Sequence, residues 1–593
     1  MIKRSALLLA AVALSPTLPA AADVSSAAAR RSAPDPVLTD AQRTAYREIF
    51  SAIRNEDWTS ASAKLDAAEE GPLHAAARAE LYLAKGSPKV ELEPLRALIA
   101  QAPDLPQAAQ LARLAAARGT EETPELPKAQ KLYWQGSQPR RERARSLANA
   151  DAVAARLEAV IQPLIVADQP SEAEAQLSAS LEPLTPEAGT EFRQRVAWSY
   201  YLTGRDADAR RLAEQAALGS GEWALQGSWT LGLAAWRMGD CAAASNAFSA
   251  VAARATDLEL GAAGNYWAAR ADMRCKRPER VQTRLRTAAR SPETFYGQLA
   301  REALGIKTPV SALLHDYRDA EWRRIAAKPN VKAALALAEI GETALADEFI
   351  RHQARLGSSS DHDALLHLAA DLNLTATQYW LAHNGPKGAS INIAARYPMP
   401  DWRPARGWRV DQSLVFAHAL QESNFRPSAV SPAGAAGLLQ VRPGTAGDIA
   451  RARGEPFDQQ RLVDPVHNIE YGQTFIEKLR DHHGTGGLLP KVIAAYNAGP
   501  VPITEWNSRA MDRGDPLLYI ESIPYWETRG YVPIVLRNYW IYESQAGKRS
   551  ASRTALAQGM WPRFPGLPGA SAVRMSEERR TASTQSGTPA PLP

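Results

Sequence analysis

The sequence predicts a mainly α-helical protein whose first part is an α-superhelical solenoid of helical hairpins. Alanine, the residue with the highest helix propensity, dominates the first two-thirds of the 593 residues. Turn positions also recur at equal intervals of about 35 residues, at Gly204, Gly239 and Arg274, which is the period of a two-helix repeat. A chain of this length exceeds what a single core supports, so more than one domain is expected.

The N-terminus has the pattern of a cleaved signal peptide, which we assign to residues 1–22. Lys3 and Arg4 precede a short apolar run from Ala6 to Leu14, and three alanines provide a cleavage site at 20–22. The apolar run is too short to cross about 30 Å of hydrocarbon. We therefore expect export to the periplasm, with no transmembrane segment in the mature chain.

The helical hairpins are predicted to occupy residues 23–383. Each combines an aromatic-rich first helix with an alanine-rich second helix. Two of the aromatic-rich segments run from Trp198 to Gly204 and from Trp229 to Gly239. A single hairpin cannot bury its own apolar face, so neighbouring hairpins must stack. Whether such a solenoid positions a polymer or binds other proteins stays open at this point.

Cys241 and Cys275, the two cysteines of the chain, each follow one of the predicted turns. Equivalent positions in stacked repeats tend to lie farther apart than a disulfide allows. Two unpaired thiols, however, are unfavourable in an oxidising compartment. We favour a Cys241–Cys275 bridge over two buried thiols.

Composition marks the remaining boundaries. Prolines and a glycine in residues 384–407 break helices and predict a linker, which leaves residues 408–545 as a second domain. Residues 546–593 are rich in Ser, Thr, Arg and Pro and predict a disordered tail. Prolines in residues 119–145 predict a long loop within the helical part.

Charge and histidine spacing exclude several classes of partner. The net charge of +5 is a weak basic bias that suits an acidic polymer. Basic residues are not interleaved with aromatic ones as in nucleic-acid-binding proteins, so we expect no nucleic-acid partner. The histidines lack the spacing of metal ligands, and we expect neither a metal nor another cofactor.

Glu422 is the candidate general acid of the second domain. Asp411 can cap a helix in which Leu414, His418 and Glu422 follow one another at intervals of four, and Pro427 then stops the helix. Partial burial and the negative helix end both raise the pKa of such a carboxyl group. A carboxylic acid that stays protonated near neutral pH can protonate a glycosidic oxygen. On spacing alone, an exposed glutamate at a helix end is an equally good interpretation.

Two further segments provide polar groups for a sugar-binding cleft. Residues 431–440 form a glycine-punctuated turn that leads to Gln440, whose amide can donate to and accept from an N-acetyl group. The helix opened by Pro490 ends at Gly499 and places Tyr496 and Asn497 at its C-terminal end.

These motifs resemble the soluble lytic murein transglycosylases, whose catalytic domain is similar to goose-type lysozyme. The resemblance rests on four segments that occur in the same order, namely Gln421–Phe425, Gly437–Gln440, Ala495–Gly499 and Glu521–Val532. Residues 291–300 also resemble the family's helical region. The resemblance implies a lysozyme-like α+β catalytic domain at residues 408–545.

The resemblance also implies roles for individual residues. Glu422 matches the catalytic glutamate, and the expected substrate-binding residues are Ser423, Leu439, Gln440, Tyr496, Asn497, Glu527 and Tyr531. Two positions depart from the family pattern. Leu420 stands where arginine is frequent, and Leu439 stands where methionine is usual, which keeps an apolar wall.

The implied reaction is non-hydrolytic cleavage of the bond between N-acetylmuramic acid and N-acetylglucosamine in peptidoglycan. Glu422 acts first as acid and then as base, the substrate's N-acetyl group assists, and the product carries a 1,6-anhydro ring. The expected partners are peptidoglycan glycan strands, with other cell-envelope proteins as further candidates. The alternatives are a hydrolytic muramidase and a glycan-binding scaffold without activity.

Overall fold

The computed structural model describes residues 35–119, 125–307, 319–389, 392–509 and 512–575. Within these ranges the chain is mainly helical, and its short strands form two antiparallel pairs. No helix in these ranges combines the length and the apolar character that crossing a membrane requires. The predicted signal peptide at residues 1–22 lies outside the described residues.

Within the described residues, the helical part consists of nineteen helices. They are α1 (Asp40–Arg54), α2 (Trp58–Ala67), α3 (His74–Leu83), α4 (Leu92–Gln101), α5 (Ala108–Ala116), α6 (Ala152–Val166), α7 (Pro170–Ala179), α8 (Pro186–Leu202), α9 (Asp206–Ala217), α10 (Glu222–Met238), α11 (Cys241–Arg254), α12 (Leu258–Arg274), α13 (Pro278–Ala288), α14 (Phe295–Ala303), α15 (Asp319–Ala326), α16 (Pro329–Ile340), α17 (Thr343–Leu356), α18 (His362–Asp371) and α19 (Thr375–His383). Consecutive helices from α8 to α13 pack against each other, as hairpins of a solenoid must.

The predicted 35-residue period corresponds to the ends of α8, α10 and α12. Gly204 and Gly239 adopt left-handed backbone angles (φ 80° and 83°), which glycine tolerates without steric cost. In the third hairpin Lys276 takes the left-handed position (φ 57°), two residues after the predicted turn at Arg274. After Gly239, the side chain of Asp240 accepts a hydrogen bond from the Ala243 amide and so caps α11.

Cys241 and Cys275 form a disulfide, with 5.6 Å between their Cα atoms. Cys241 is the first residue of α11, whereas Cys275 directly follows the last residue of α12. These positions are not equivalent in their repeats. The start of one helix and the end of the next therefore come within the distance that a disulfide spans.

Residues 125–146 run without a helix along the helical part, as the predicted loop implied. Within them β1 (Tyr133–Trp134) pairs with β2 (Asn384–Gly385), which directly follows α19. A short 3-10 helix at Leu147–Asn149 then leads into α6. The same segment also reaches the second domain, as described below.

The second domain is built from α20 (Gln412–Ser423), α21 (Pro443–Ala452), a 3-10 helix (Gln459–Val463), α22 (Pro465–Asp481), α23 (Leu489–Ala498), α24 (Pro500–Arg509), α25 (Pro516–Glu521) and α26 (Trp526–Gln545). Helix α20 is buried on nearly all sides and packs against α26, which also contacts α23. An apolar helix in the middle of a domain is expected to be a core helix.

The structure corrects two boundary predictions. The predicted linker at 384–407 contains β2 and a 3-10 helix at Ala394–Arg396, and Tyr397 is only 1% exposed. The predicted disordered tail from 546 is wrong for residues 546–575, which form α27 (Ala551–Ala557), β3 (Trp561–Pro562) and β4 (Ala572–Val573). Trp561 and Phe564 are buried, so a few apolar residues within a polar composition anchor this segment. Residues 576–593 lie outside the described residues.

Candidate active site

Glu422 lies in the last turn of α20, as predicted. The Asp411 side chain accepts a hydrogen bond from the Ser413 amide at 2.8 Å and caps the helix. Asn424 ends the helix in a left-handed conformation (φ 51°), three residues before Pro427.

The carboxyl group of Glu422 is held by Tyr531 of α26. The Tyr531 hydroxyl donates to Glu422 Oε1 over 2.5 Å. Burial raises the pKa of Glu422 to about 7, the hydrogen bond from Tyr531 opposes that rise, and the charge of Glu527 adds to it. The carboxyl group is therefore protonated in a substantial fraction of molecules near neutral pH, which a general acid requires.

His418, one helical turn before Glu422, completes a chain of hydrogen bonds. Its Nδ1 lies 2.8 Å from the Tyr531 hydroxyl, and the residue is 1% exposed. Burial lowers the pKa of His418 to about 3, so the imidazole is neutral. Because the single Tyr531 proton is donated to Glu422, Nδ1 carries the proton of His418 and donates to Tyr531.

The sequence pattern placed His418 on the same stripe as Glu422 but did not assign it a role. The interval of four residues in a helix was the signal, since it brings two side chains onto one face. Tyr496 packs on the other side of the imidazole, with ring centroids 4.5 Å apart. The Tyr496 hydroxyl donates to the Leu439 carbonyl at 2.6 Å and so ties α23 to the turn before α21.

Asn468 of α22 holds the turn at residues 437–440. Its side chain accepts from the Leu439 amide at 2.7 Å and donates to the carbonyls of Ala436 and Leu462. Gly437 has a φ of 78°, and a Cβ there would lie 2.1 Å from the Leu462 carbonyl oxygen. The turn therefore requires glycine for both its conformation and its close packing.

Three of the predicted substrate-binding residues make contacts within the protein. Ser423 is 1% exposed and its hydroxyl donates to the Ala419 carbonyl, so it bonds to its own helix instead of facing a ligand. Leu439 is fully buried, and its side chain occupies the space that Gly472 leaves free. Gln440 uses its amide nitrogen to donate to the carbonyls of Ala429 and Gly437, which leaves its carbonyl oxygen as an acceptor.

Asn497 and Glu527 lie together at the edge of the site. Asn497 donates to Glu527 Oε1 at 3.2 Å and accepts from the Thr528 hydroxyl at 2.5 Å. Glu527 is exposed, and its charge acts on Glu422. The structure thus brings together Glu422, Tyr496, Asn497, Glu527 and Tyr531 from three helices that are distant in sequence.

A large cleft of about 1120 Å³ adjoins this group. Gln421, Asn497, Glu527 and Tyr531 line one part of it. The other part is lined by the arginine segment, residues 140–145 of the helical part, which sequence reasoning assigned only to a loop. The concave shape and the polar groups beside a carboxyl group of raised pKa are typical of an active site.

Glu521 fastens the two parts of the chain at this cleft. Its buried carboxylate accepts two hydrogen bonds from Arg141, at 2.7 and 3.0 Å, and one from the Tyr296 hydroxyl at 2.6 Å. Paired and hydrogen-bonded in this way, a buried charge is tolerated and fixes geometry. The motifs around residues 296 and 521, which the sequence placed in different domains, therefore meet.

Residues 403–518 match the family described as Transglycosylase SLT domain. This segment is similar to the SLT domain. The match confirms the resemblance predicted from the motifs, and it includes Glu422, Gln440, Tyr496 and Asn497. Glu527 and Tyr531 lie beyond the end of the matched segment, on α26.

Curated relatives of the SLT domain are named as lytic transglycosylases. The chain is 36% identical over 151 residues to the soluble lytic murein transglycosylase of Salmonella typhimurium, covering 25% of this chain and 23% of that protein. It is 35% identical over 159 residues to the protein of the same name from Escherichia coli, covering 26% and 24%. The matched segment thus spans about a quarter of the length of these relatives.

The fold extends over nearly the whole chain. The crystal structure of the 70 kDa soluble lytic transglycosylase from Escherichia coli superposes with a TM-score of 0.53 at 18% identity, covering 88% of this chain and 99% of that one. The lytic transglycosylase Slt from Pseudomonas aeruginosa superposes with a TM-score of 0.52 at 19% identity, covering 86% and 87%. The predicted fold class, a helical solenoid followed by a lysozyme-like domain, is confirmed.

Proposed function

We propose that this chain is a periplasmic lytic transglycosylase that cleaves the β-1,4 bond between N-acetylmuramic acid and N-acetylglucosamine without water. The observation that carries the proposal is the partly buried carboxyl group of Glu422, whose pKa is about 7 and which is hydrogen-bonded to Tyr531 of the cleft wall. The names of the curated relatives support the same reaction class.

In the first step the protonated Glu422 gives its proton to the glycosidic oxygen. The bond between this oxygen and C1 of the muramoyl sugar breaks, and the N-acetylglucosamine unit leaves as an alcohol. The sugar's own N-acetyl carbonyl oxygen stabilises the positive charge at C1. The Tyr531 hydroxyl stabilises the glutamate anion that the step creates, because it donates to Glu422 Oε1.

In the second step the Glu422 carboxylate removes the proton from the muramoyl 6-hydroxyl. The oxygen then bonds to C1 and closes the 1,6-anhydro ring, which restores the protonated acid. Glu527 is exposed and hydrogen-bonded to Asn497, so it does not share the enclosed position of Glu422. A single enclosed carboxyl group favours this substrate-assisted route over a mechanism with two opposed carboxylates.

Digestion of purified sacculi tests the proposal. The unmodified protein should clear a sacculus zymogram and release muropeptides with 1,6-anhydro ends, identified by mass spectrometry. Glu422→Gln should lose activity by at least about a thousandfold, because it removes the proton donor. Glu505→Gln, which alters an exposed glutamate of the same domain, should cut as the unmodified protein does.

Two results would contradict the proposal. Reducing ends without anhydro products would indicate a hydrolytic muramidase, and clearing by Glu422→Gln would remove this residue from the reaction. The periplasmic location is tested separately, by sequencing the N-terminus of the exported protein. Cleavage after residue 22 is expected, and an uncleaved cytoplasmic chain would contradict it.

A further inference from the structure

We propose that the arginine segment forms an anion-binding subsite for the carboxylates carried by the muramoyl units of a glycan strand. This inference rests on the proposed function, because it takes the strand as the ligand. It adds that the helical part, and not the SLT domain alone, selects the substrate.

The arginine segment is anchored through the side chain of Arg141 and the backbone of Arg145. Both terminal nitrogens of Arg141 donate hydrogen bonds to the buried carboxylate of Glu521. The guanidinium group also lies over the ring of Trp229, 4.6 Å from its centroid. The Arg145 carbonyl accepts a hydrogen bond from Trp223 Nε1 at 2.8 Å. These contacts hold the backbone, so the flanking side chains of Arg140 and Arg143 remain at the wall of the cleft.

Within the described part of the chain, the guanidinium groups of Arg140, Arg143 and Arg145 form no ion pair, and all three line the cleft. The one carboxylate bonded to these residues is Glu222, which accepts from the backbone amide of Arg145 at 3.2 Å and not from its side chain. Exposed arginines of the helices, in contrast, often pair with neighbouring acids, as Arg205 does with Asp208. Unpaired guanidinium groups in a concave site present a binding geometry that suits carboxylates.

The cleft as a whole carries an excess of positive charge. Five arginines and three glutamates line it, and one of the arginines, Arg141, is paired with Glu521. Of these glutamates, Glu527 is bonded to Asn497, and Glu259 is buried and accepts from the Phe295 amide. Burial raises the pKa of Glu259 to about 7, which reduces its negative charge further. The net field therefore attracts an anionic strand towards the site.

Arg529 adds a partly buried cation to the lining of the same cleft. It lies in the first turn of α26, where the positive helix end disfavours a cation. Burial lowers its pKa to about 10, so it stays charged at neutral pH. Its guanidinium donates to the Ile523 carbonyl and packs between Trp198 and Trp526. The charge of Glu521, a carboxylate already bonded to Arg141, opposes the lowering of its pKa. Glu521 is thus shared between two arginines, and a bound anion would add a second counter-charge.

A glycan strand can carry carboxylates in two places, on the peptide stem and on the lactyl group. A muramoyl unit with its peptide stem has the carboxylates of the stem, whereas a unit without a stem has only its lactyl carboxylate. An N-acetylglucosamine oligomer has neither and serves as the neutral comparison. The three ligands therefore separate recognition of charge from recognition of sugar.

Binding is measured by calorimetry on the full mature chain carrying Glu422→Gln, so that strands stay intact. Arg143→Gln with Arg145→Gln should weaken binding of peptide-bearing strands about tenfold, since two exposed charge contacts are lost. Binding of N-acetylglucosamine tetrasaccharide should change less than about twofold, and added salt should remove the difference for acidic strands. The matched control is Arg286→Gln with Arg290→Gln, two exposed arginines of the helical part away from the cleft.

Each outcome decides the inference. Weaker binding of peptide-bearing strands alone assigns the subsite to stem carboxylates, and weaker binding of both acidic strands assigns it to the lactyl carboxylate. Equal loss for all three ligands, or no loss for any, overturns the inference. The readout is binding and not cleavage, and the sacculus assay with Glu422→Gln tests the catalytic proposal separately, so failure of one is distinguishable from failure of the other.

Discussion

The hydroxyl of Tyr531 lies 2.5 Å from Glu422 Oε1, although the two residues belong to the two helices α26 and α20 that are distant in sequence. The same hydroxyl lies 2.8 Å from His418 Nδ1. One phenol therefore connects the candidate acid to a buried neutral imidazole, and four predictions follow from this arrangement and from the turn beside it.

Tyr531→Phe should slow cleavage and shift its pH dependence. The hydrogen bond favours the charged form of Glu422, so its loss raises the pKa of this carboxyl group further. We expect a fall in kcat/KM of about 10- to 100-fold, because a hydrogen bond to a charged group is lost. The alkaline limb of the pH–activity profile should move to higher pH by about one unit. A profile identical to that of the unmodified protein would contradict the contact.

His418→Leu should lower activity without unfolding the domain. Leucine fills a similar apolar volume but cannot donate to Tyr531, so the hydroxyl is no longer oriented towards Glu422. We expect kcat to fall about three- to tenfold while KM stays the same. His418→Gln, which can still donate, should recover part of the loss. Equal effects of both substitutions on kcat and melting temperature would indicate a purely structural role.

The raised pKa of Glu422 should destabilise the folded state at neutral and higher pH. Below the unfolded pKa of about 4.3 both states are protonated, and no cost arises. As the pH rises from there to about 7, the unfolded state ionises first, so the free energy of unfolding decreases. Glu422→Gln should therefore stabilise the protein by roughly 1–3 kcal/mol at pH 8. Thermal unfolding should show no such difference at pH 4, and a constant difference would contradict the assignment.

Gly437→Ala should cost more stability than Gly434→Ala, although both glycines have left-handed backbone angles (φ 78° and 77°). An added Cβ at 437 meets the Leu462 carbonyl oxygen at 2.1 Å and Asn468 Nδ2 at 2.2 Å, whereas nothing lies within 4 Å at 434. We expect about 1 kcal/mol for Gly434→Ala, from backbone strain alone, and at least about 3 kcal/mol for Gly437→Ala. Urea unfolding measures both, and equal losses would show that the turn can shift.

Local patterns were sufficient to predict the elements that carry the site. The cap at Asp411, the stop before Pro427 and the helix end at Gly499 are short-range effects of side-chain and backbone chemistry, and the structure has each of them. The spacing of aromatic residues and turns likewise predicted the hairpins. The tail from 546 was misjudged because composition averages over a segment and cannot show that Trp561 packs into a core.

By itself, the sequence determined the helical class, the repeat period, the resemblance to the SLT domain and the candidate acid, because these depend on residue types at short intervals. Only the tertiary structure decided which predicted residues meet. It placed Tyr531 and His418 on Glu422, buried Ser423 and Leu439, and brought the arginine segment to the cleft. Burial, pKa and ion pairing depend on neighbours that are remote along the chain, and no local pattern specifies them.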